Sequence, residues 1–235
     1  QAEGAVLRFK DVPLLPVPAI SFPLGNKRKS GFLSPTIALG SLNGVEVAMP
    51  YYLNLAPNRD VTLTPTLMSR RGVDLGGEYR YLETDSQGQV RGNFMPADTL
   101  RNQSRWGVAA THSGNLPGNI GLSLNLNRVS DDNYWRDFTR VSTSLTGRLL
   151  PNDANLVWSE GNLSARARAL KWQTLQDATA PIVPPYDRMP QLTARYASQP
   201  VAGLEFSTDV DYTRFVSEAA RTLLHGGARL QRELL

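Results

Sequence analysis

The sequence contains no cysteine and only two histidines in 235 residues. Without thiols this stretch has no disulfide, no thiolate metal site and no cysteine nucleophile. That absence leaves the compartment open, because reduced and oxidised compartments both hold cysteine-free proteins. His112 falls in a loop and His225 in an atypical tail, too few for a histidine metal site. No run approaches the roughly 20 apolar residues of a membrane-crossing helix, which excludes a helical membrane protein and says nothing against one built of strands. Charge of one sign is also scarce: 25 basic residues face 21 acidic ones for a net +4. The arginines are scattered rather than gathered on one face, so no nucleic-acid partner is expected. No serine, histidine and aspartate group as a hydrolase triad, and the glycines of GVDLGG are turn glycines rather than a phosphate loop. Asp131, Asp132 and Asp137 lack the spacing of a calcium loop and read as a solvated polar loop. The expectation is a protein without catalytic residues, metal or cofactor, and not an enzyme.

What is present is a two-residue period. Val45, Val47 and Met49 alternate with Glu46, Ala48 and Pro50, and Val61, Leu63, Pro65 and Leu67 with Thr62, Thr64 and Thr66. Ile120, Leu122, Leu124 and Leu126 oppose Gly121, Ser123, Asn125 and Asn127, and Leu163, Ala165, Ala167 and Ala169 oppose Ser164, Arg166 and Arg168. Val210 and Tyr212 share a face with Thr208 and oppose Asp209 and Asp211. Such alternation, broken by Asn-Gly, Pro-Asn and Arg-Gly turns, describes an antiparallel meander with one apolar face. Periodicity does not say whether the charged face meets solvent or an interior. A hydrophobic content of 41% and a mean hydropathy of −0.30 suit a soluble β domain and a membrane barrel equally. Tyrosine and tryptophan recur near segment ends, which fits interfacial girdles and ordinary strand preference alike. Polar connections are expected at ETDSQGQ, HSGNLPGN and SDDN, with a longer proline-rich one from Asp177 to Pro190.

The ends differ in kind. Pro13, Pro16, Pro18 and Pro23 bar the first 25 residues from a central strand, because each removes a ladder donor, so an edge strand or connector is expected. The cluster Lys27, Arg28 and Lys29 follows as a solvated turn. From Ser217 the composition turns to Ala, Leu, Arg and Glu, a helical pattern interrupted at Gly226 and Gly227. The chain begins at Gln1 without a signal peptide, the mark of a removed leader or of a piece of a longer protein.

FPLGNKRKSGFLSPTI followed by PYYLNLAPNRDVTLTPTLMSRRGVDLGGEYRYL, and later DDNYWRDF and YDRMPQLTARY, resembles the LPS-assembly outer-membrane protein family, LptD or OstA. The likeness is read over residues 13 to 215, and none is read in the tail. It implies an all-β fold: residues 1–25 ending a periplasmic β-jelly roll, 26–216 an incomplete antiparallel transmembrane β-barrel, and 217–235 unassigned. At about 9 to 11 residues per spanning strand plus a turn, the barrel part holds roughly 10 to 12 strands, half of the family's barrel.

The resemblance further implies lipopolysaccharide transport into the outer leaflet of a Gram-negative outer membrane. The partners would be a lipoprotein plug, LptE, a periplasmic bridge protein, LptA, lipopolysaccharide itself and outer-membrane lipid. Prolines in the family's first two barrel strands weaken the seam between first and last strands into a lateral gate, and Pro35 and Pro50 occupy those places. Read by themselves, Pro35 marks a strand start and Pro50 a bulge. Lys27, Arg28 and Lys29 would lie along the path of a phosphorylated lipid, and Arg166 and Arg168 would face the lumen. The competing readings are a general porin or channel and a soluble β-sandwich binding module.

Overall fold

The computed structural model describes residues 2–9, 12–20, 28–138, 145–198 and 206–217, so Lys27 and the tail from 218 lie outside the described residues. The elements are β1 (Ala2–Phe9), β2 (Val12–Ile20), β3 (Gly31–Phe32), β4 (Thr36–Gly40), β5 (Gly44–Ala48), β6 (Tyr51–Ala56), β7 (Arg59–Met68), β8 (Gly72–Leu82), β9 (Ser86–Asp98), β10 (Gln103–Leu116), β11 (Ile120–Val129), α1 (Tyr134–Asp137), β12 (Leu149–Glu160), β13 (Leu163–Thr174), β14 (Asp187–Ala197) and β15 (Ser207–Val216). The fold is all-β and antiparallel, as the period required. β1 and β2 pair by themselves, so each is an edge and the prolines of β2 are accommodated.

Among the described residues the other thirteen strand segments follow one another in chain order from β4 to β15, with β3 on β6 and β6 on β7, and the sheet they form does not close on itself. Four of the thirteen are halves. β5 and β6 lie end to end on β7 in one register, with Ala48 opposite Thr66 and Tyr51 opposite Leu63, so they form one strand broken at Met49 and Pro50. β3 and β4 lie end to end in the same way, on β6 and β5, broken between Leu33 and Pro35. Eleven strands result, within the expected range.

Two compact units divide the chain, residues 1–82 with 89–106, and 83–88 with 107–235. In the first, Leu67 pairs with Val47 and Val73, and Leu63 with Tyr51, on a face where Leu63, Leu67, Val73 and Leu75 are exposed. The opposite face of β7 and β8 pairs Asp60 with Arg80, Thr62 with Glu78 and Thr66 with Asp74. Asp60 and Asp74 are buried.

The second unit repeats the arrangement over five strands. Leu122, Leu156, Ala167, Leu192 and Tyr212 form one continuous row of partners, in which Leu156, Leu192 and Tyr212 are exposed. Ser123, Asn155, Arg168, Gln191 and Thr213 form the adjacent row on the other face. In the first unit the buried carboxylates thus lie opposite an exposed apolar face, and in the second the apolar row is exposed while the opposite face carries the polar side chains. Among the described residues the buried polar and charged side chains, ten, equal the buried apolar ones, and many more large apolar side chains are exposed, Leu39 at 78% and Val210 at 64% among them. Water disfavours such a surface at about 25 cal/mol per Å², whereas hydrocarbon accepts it. A soluble sandwich needs the reverse, its apolar faces packed between two sheets.

A small apolar core does exist in the second unit, where α1 and the 145–148 segment follow β11. Val129, Tyr134, Phe138, Leu145, Leu150, Leu170 and Leu175 are buried there, and the rings of Tyr134 and Phe138 stack at 4.7 Å. Asp137 is buried at 3% exposure rather than solvated, because it lies on the inner side of this turn of helix. Asp177 accepts from Arg136 and from Thr179, and the N–H and hydroxyl of Thr179, then the nearby Arg136 and Arg148, hold its carboxyl below the usual carboxylate range. Three expected connections proved to be partly strand, the first being ETDSQGQ, in which β9 begins at Ser86. β10 runs through the HSGN of HSGNLPGN to Leu116, where Asn115 donates to the Asp85 carbonyl at 2.8 Å, and β14 begins at Asp187. Ladder pairing to a neighbour extends a strand past the point where its own polarity suggests a loop.

Candidate functional site

Backbone chemistry decides what the break in the first two strands can do. Proline has a carbonyl but no N–H, so it accepts from a ladder and returns nothing. Leu33 donates to the Pro50 carbonyl at 2.9 Å, and Met49 donates to the Pro65 carbonyl at 3.1 Å. In each case the reciprocal bond of an antiparallel pair is impossible. Pro35 lies across the same interruption: from Phe32 to Thr36 there are four steps, against three from Ala48 to Tyr51, so the first strand carries one extra residue between its paired halves. The strand start expected at Pro35 is found, since β4 begins at Thr36, whereas the bulge expected at Pro50 falls on the opposite strand, beside Pro35. The structure brings Pro35 and Pro50 together at a single gap in the ladder. Pro65 in β7, opposite Met49, carries the deficit one strand further and was not recognised from sequence as part of the site.

Polar anchors bracket the break. Below it Asp60, only 4% exposed, accepts from Arg80 through Nε at 2.8 Å and Nη2 at 3.0 Å, and from Arg28 and Tyr52 at 3.4 Å each. Ser30 Oγ accepts from the Asn54 N–H at 2.9 Å, and Asn54 Nδ2 donates to the Arg28 carbonyl at 3.4 Å. Above it, at the tight turn between β4 and β5, Arg71 Nε donates to Asn43 Oδ1 at 2.7 Å. Arg71 is itself fixed by Asp98 at 2.5 Å, and Asp98 also binds Arg105 at 3.1 Å, with all three side chains at 1% exposure or less. Gly44 holds a positive φ of 75°, and a Cβ there would meet Ser69 Oγ at 2.2 Å, so only glycine lets Ser69 accept from the Val45 N–H.

The remaining expected residues fall elsewhere. Arg28 is engaged with Asp60, Lys29 is exposed, and Lys27 lies outside the described residues. Arg166 and Arg168 lie on the polar face of β13, Arg166 donating to Asn155 Oδ1 at 2.5 Å and Arg168 Nη2 to Asp153 Oδ2 at 2.6 Å. Sequence reading missed the hub residues Asp60, Arg71, Asp98 and Arg105. Three of them sit in or beside turns, where charge is ordinary and partners 27 residues apart, as for Arg71 and Asp98, are invisible.

The family model LptD, LPS transport system D, matches residues 103–230. Similar curated proteins are the LPS-assembly protein LptD of Albidiferax ferrireducens, 59% identical over 97% of this chain, and that of Polaromonas sp., 54% identical over 94%. That of Cupriavidus necator is 42% identical over 91%. The chain spans 30% of the length of the first of these and 28% of the second. The family match extends to residue 230, which corrects the expectation that the tail carries no resemblance.

Proposed function

Because the chain belongs to the LptD family, we propose that it supplies the opening strands of an outer-membrane barrel that inserts lipopolysaccharide into the outer leaflet. The observation that carries this reading is the gap at Pro35 and Pro50. A transmembrane barrel leaves no backbone group unpaired in hydrocarbon, so a row of withdrawn donors in the first two strands marks the seam that opens at least cost. Lipid A would leave the barrel sideways there, while the glycan stays on the polar face. The apolar rows of both units are the lipid-facing surface, and Arg166 and Arg168 line the lumen.

The partners follow from the same reading. The polar rows from Ser123 to Thr213 face the lipoprotein plug, LptE, and residues 1–25 end the jelly roll that docks to the bridge protein LptA. Lys29 lies by the entry path of the phosphorylated lipid; Arg28 has a structural partner in Asp60 and contributes less to any lipid contact. A general channel would need none of this, since a porin gains nothing from a weakened seam.

Membrane fractionation of the tagged, full-length parent protein, followed by purification in mild detergent, tests the assignment. The expected result is recovery in the outer membrane together with a lipoprotein and lipopolysaccharide. Recovery in the aqueous phase, or in the membrane as a pore without a lipoprotein, would refute it.

A further inference from the structure

The hairpin that carries both prolines is tied to its neighbours at two levels and at neither of them by the ladder alone. At the turn end the ties are Arg71 to Asn43, Arg70 to the Ser41 carbonyl, and the Val45 N–H to Ser69 Oγ. Arg71 cannot move freely, because it is buried against Asp98, which in turn holds Arg105. At the other end Asp60 gathers Arg28, Tyr52 and Arg80, and Asn54 holds Ser30 and the Arg28 carbonyl. Between these levels lie Leu33 to Pro35 and Met49 to Pro50, where reciprocal bonds are missing.

From this distribution we infer that the first hairpin is clamped at both ends and bows at its middle, so that the seam opens as a slit rather than by swinging from one end. Asn43 is the positioning residue of the upper clamp: it passes the rigidity of the Arg71, Asp98 and Arg105 cluster to the tip of the hairpin. Arg28 and Tyr52 do the same below through Asp60. The inference rests on the reading of this hairpin as the exit seam, but its test does not. A slit limits the opening to the level of the prolines, which suits a cargo whose acyl chains must enter lipid while its ends stay on the polar side.

Hydrogen exchange on the full-length parent protein, purified with its partners, decides the point. In the wild type, the amides of Leu33, Ser34, Met49 and Tyr51 exchange faster than those of 36–48 above and 52–54 below. Asn43→Ala removes two charge-assisted bonds, the one accepted from Arg71 and the one donated to Glu46 at 3.0 Å, and speeds exchange over 36–48 by about tenfold while leaving 59–68 unchanged. Asn43→Asp, which keeps the acceptor for Arg71 and gives up the bond to Glu46, restores the part of the protection that Arg71 supplies. Arg28→Ala speeds exchange at 28–32 and not at 36–48. A wild-type gradient rising steadily toward one end would overturn the inference, as would an Asn43→Ala effect that is absent or spread equally through β7 and β8. If these exchange results hold while removal of Pro35 and Pro50 leaves export unchanged, the clamp stands and the exit-seam reading fails.

Discussion

Replacing Asp98 by Ala in the full-length parent chain abolishes the folded barrel. Arg71 and Arg105 share this carboxylate, and both guanidiniums are as buried as it is. Taking away one partner of a buried ion pair leaves an uncompensated charge at a cost of about 3–5 kcal/mol, and here two charges lose it together. The cost also reaches the backbone, since the Asp98 side chain accepts from the Leu100 N–H at 3.0 Å and so shapes the turn between β9 and β10. Asp98→Asn keeps an acceptor of the same shape and falls between. Loss of the compact, heat-modifiable form on a cold gel is the readout for Asp98→Ala. Normal assembly of that variant would show that the cluster is not what holds these turns.

Removing both Pro35 and Pro50 acts in the opposite direction. With alanine at 50 the chain regains an N–H that can return a bond to Leu33, whose own N–H already reaches the residue 50 carbonyl. A net hydrogen bond is worth about 0.5–1.5 kcal/mol; on the proposed reading the bond regained at residue 50 holds the first strand to the second and the donor regained at 35 becomes available to the strand that closes the seam, so opening is rarer by about tenfold. The double variant therefore folds at least as well as the parent and exports lipopolysaccharide about tenfold more slowly, measured as the rate at which newly made lipopolysaccharide reaches the cell surface. Each single variant lies between. Export at the parental rate would remove the role given to the gap, since no other consequence of those two substitutions points the same way.

The fold was largely legible because a two-residue period is a direct record of sheet faces. Leu122, Leu124 and Leu126 stand on one face as their spacing demands, and Asp209 and Asp211 share the other with Arg195 and Thr193. Which face is buried was not legible, because alternation is symmetric; in the first unit it is the face of the buried Asp60 and not that of the exposed Leu63. Pro35 and Pro50 could be picked out one by one, yet their meeting at a single gap depends on register, and so does the part of Pro65. The clamps were beyond reach for a different reason. Asp60 meets Arg28 across 32 residues and Arg71 meets Asp98 across 27, and nothing local distinguishes these from solvated charges in turns. Asp137 misled in the same way, a carboxylate in a polar run that a short helix carries into a small core.

The most direct test of the account places a photocrosslinking residue at Ser34, inside the gap, and another at Leu122, on the apolar row of the second unit, in the full-length parent protein in growing cells. Lipopolysaccharide in transit is expected to be captured at Ser34 and not to a comparable extent at Leu122, and the Ser34 adduct should vanish when lipopolysaccharide synthesis is stopped. Equal capture at the two positions, or an adduct at Ser34 that persists without new synthesis, would contradict the claim that cargo leaves through the proline gap.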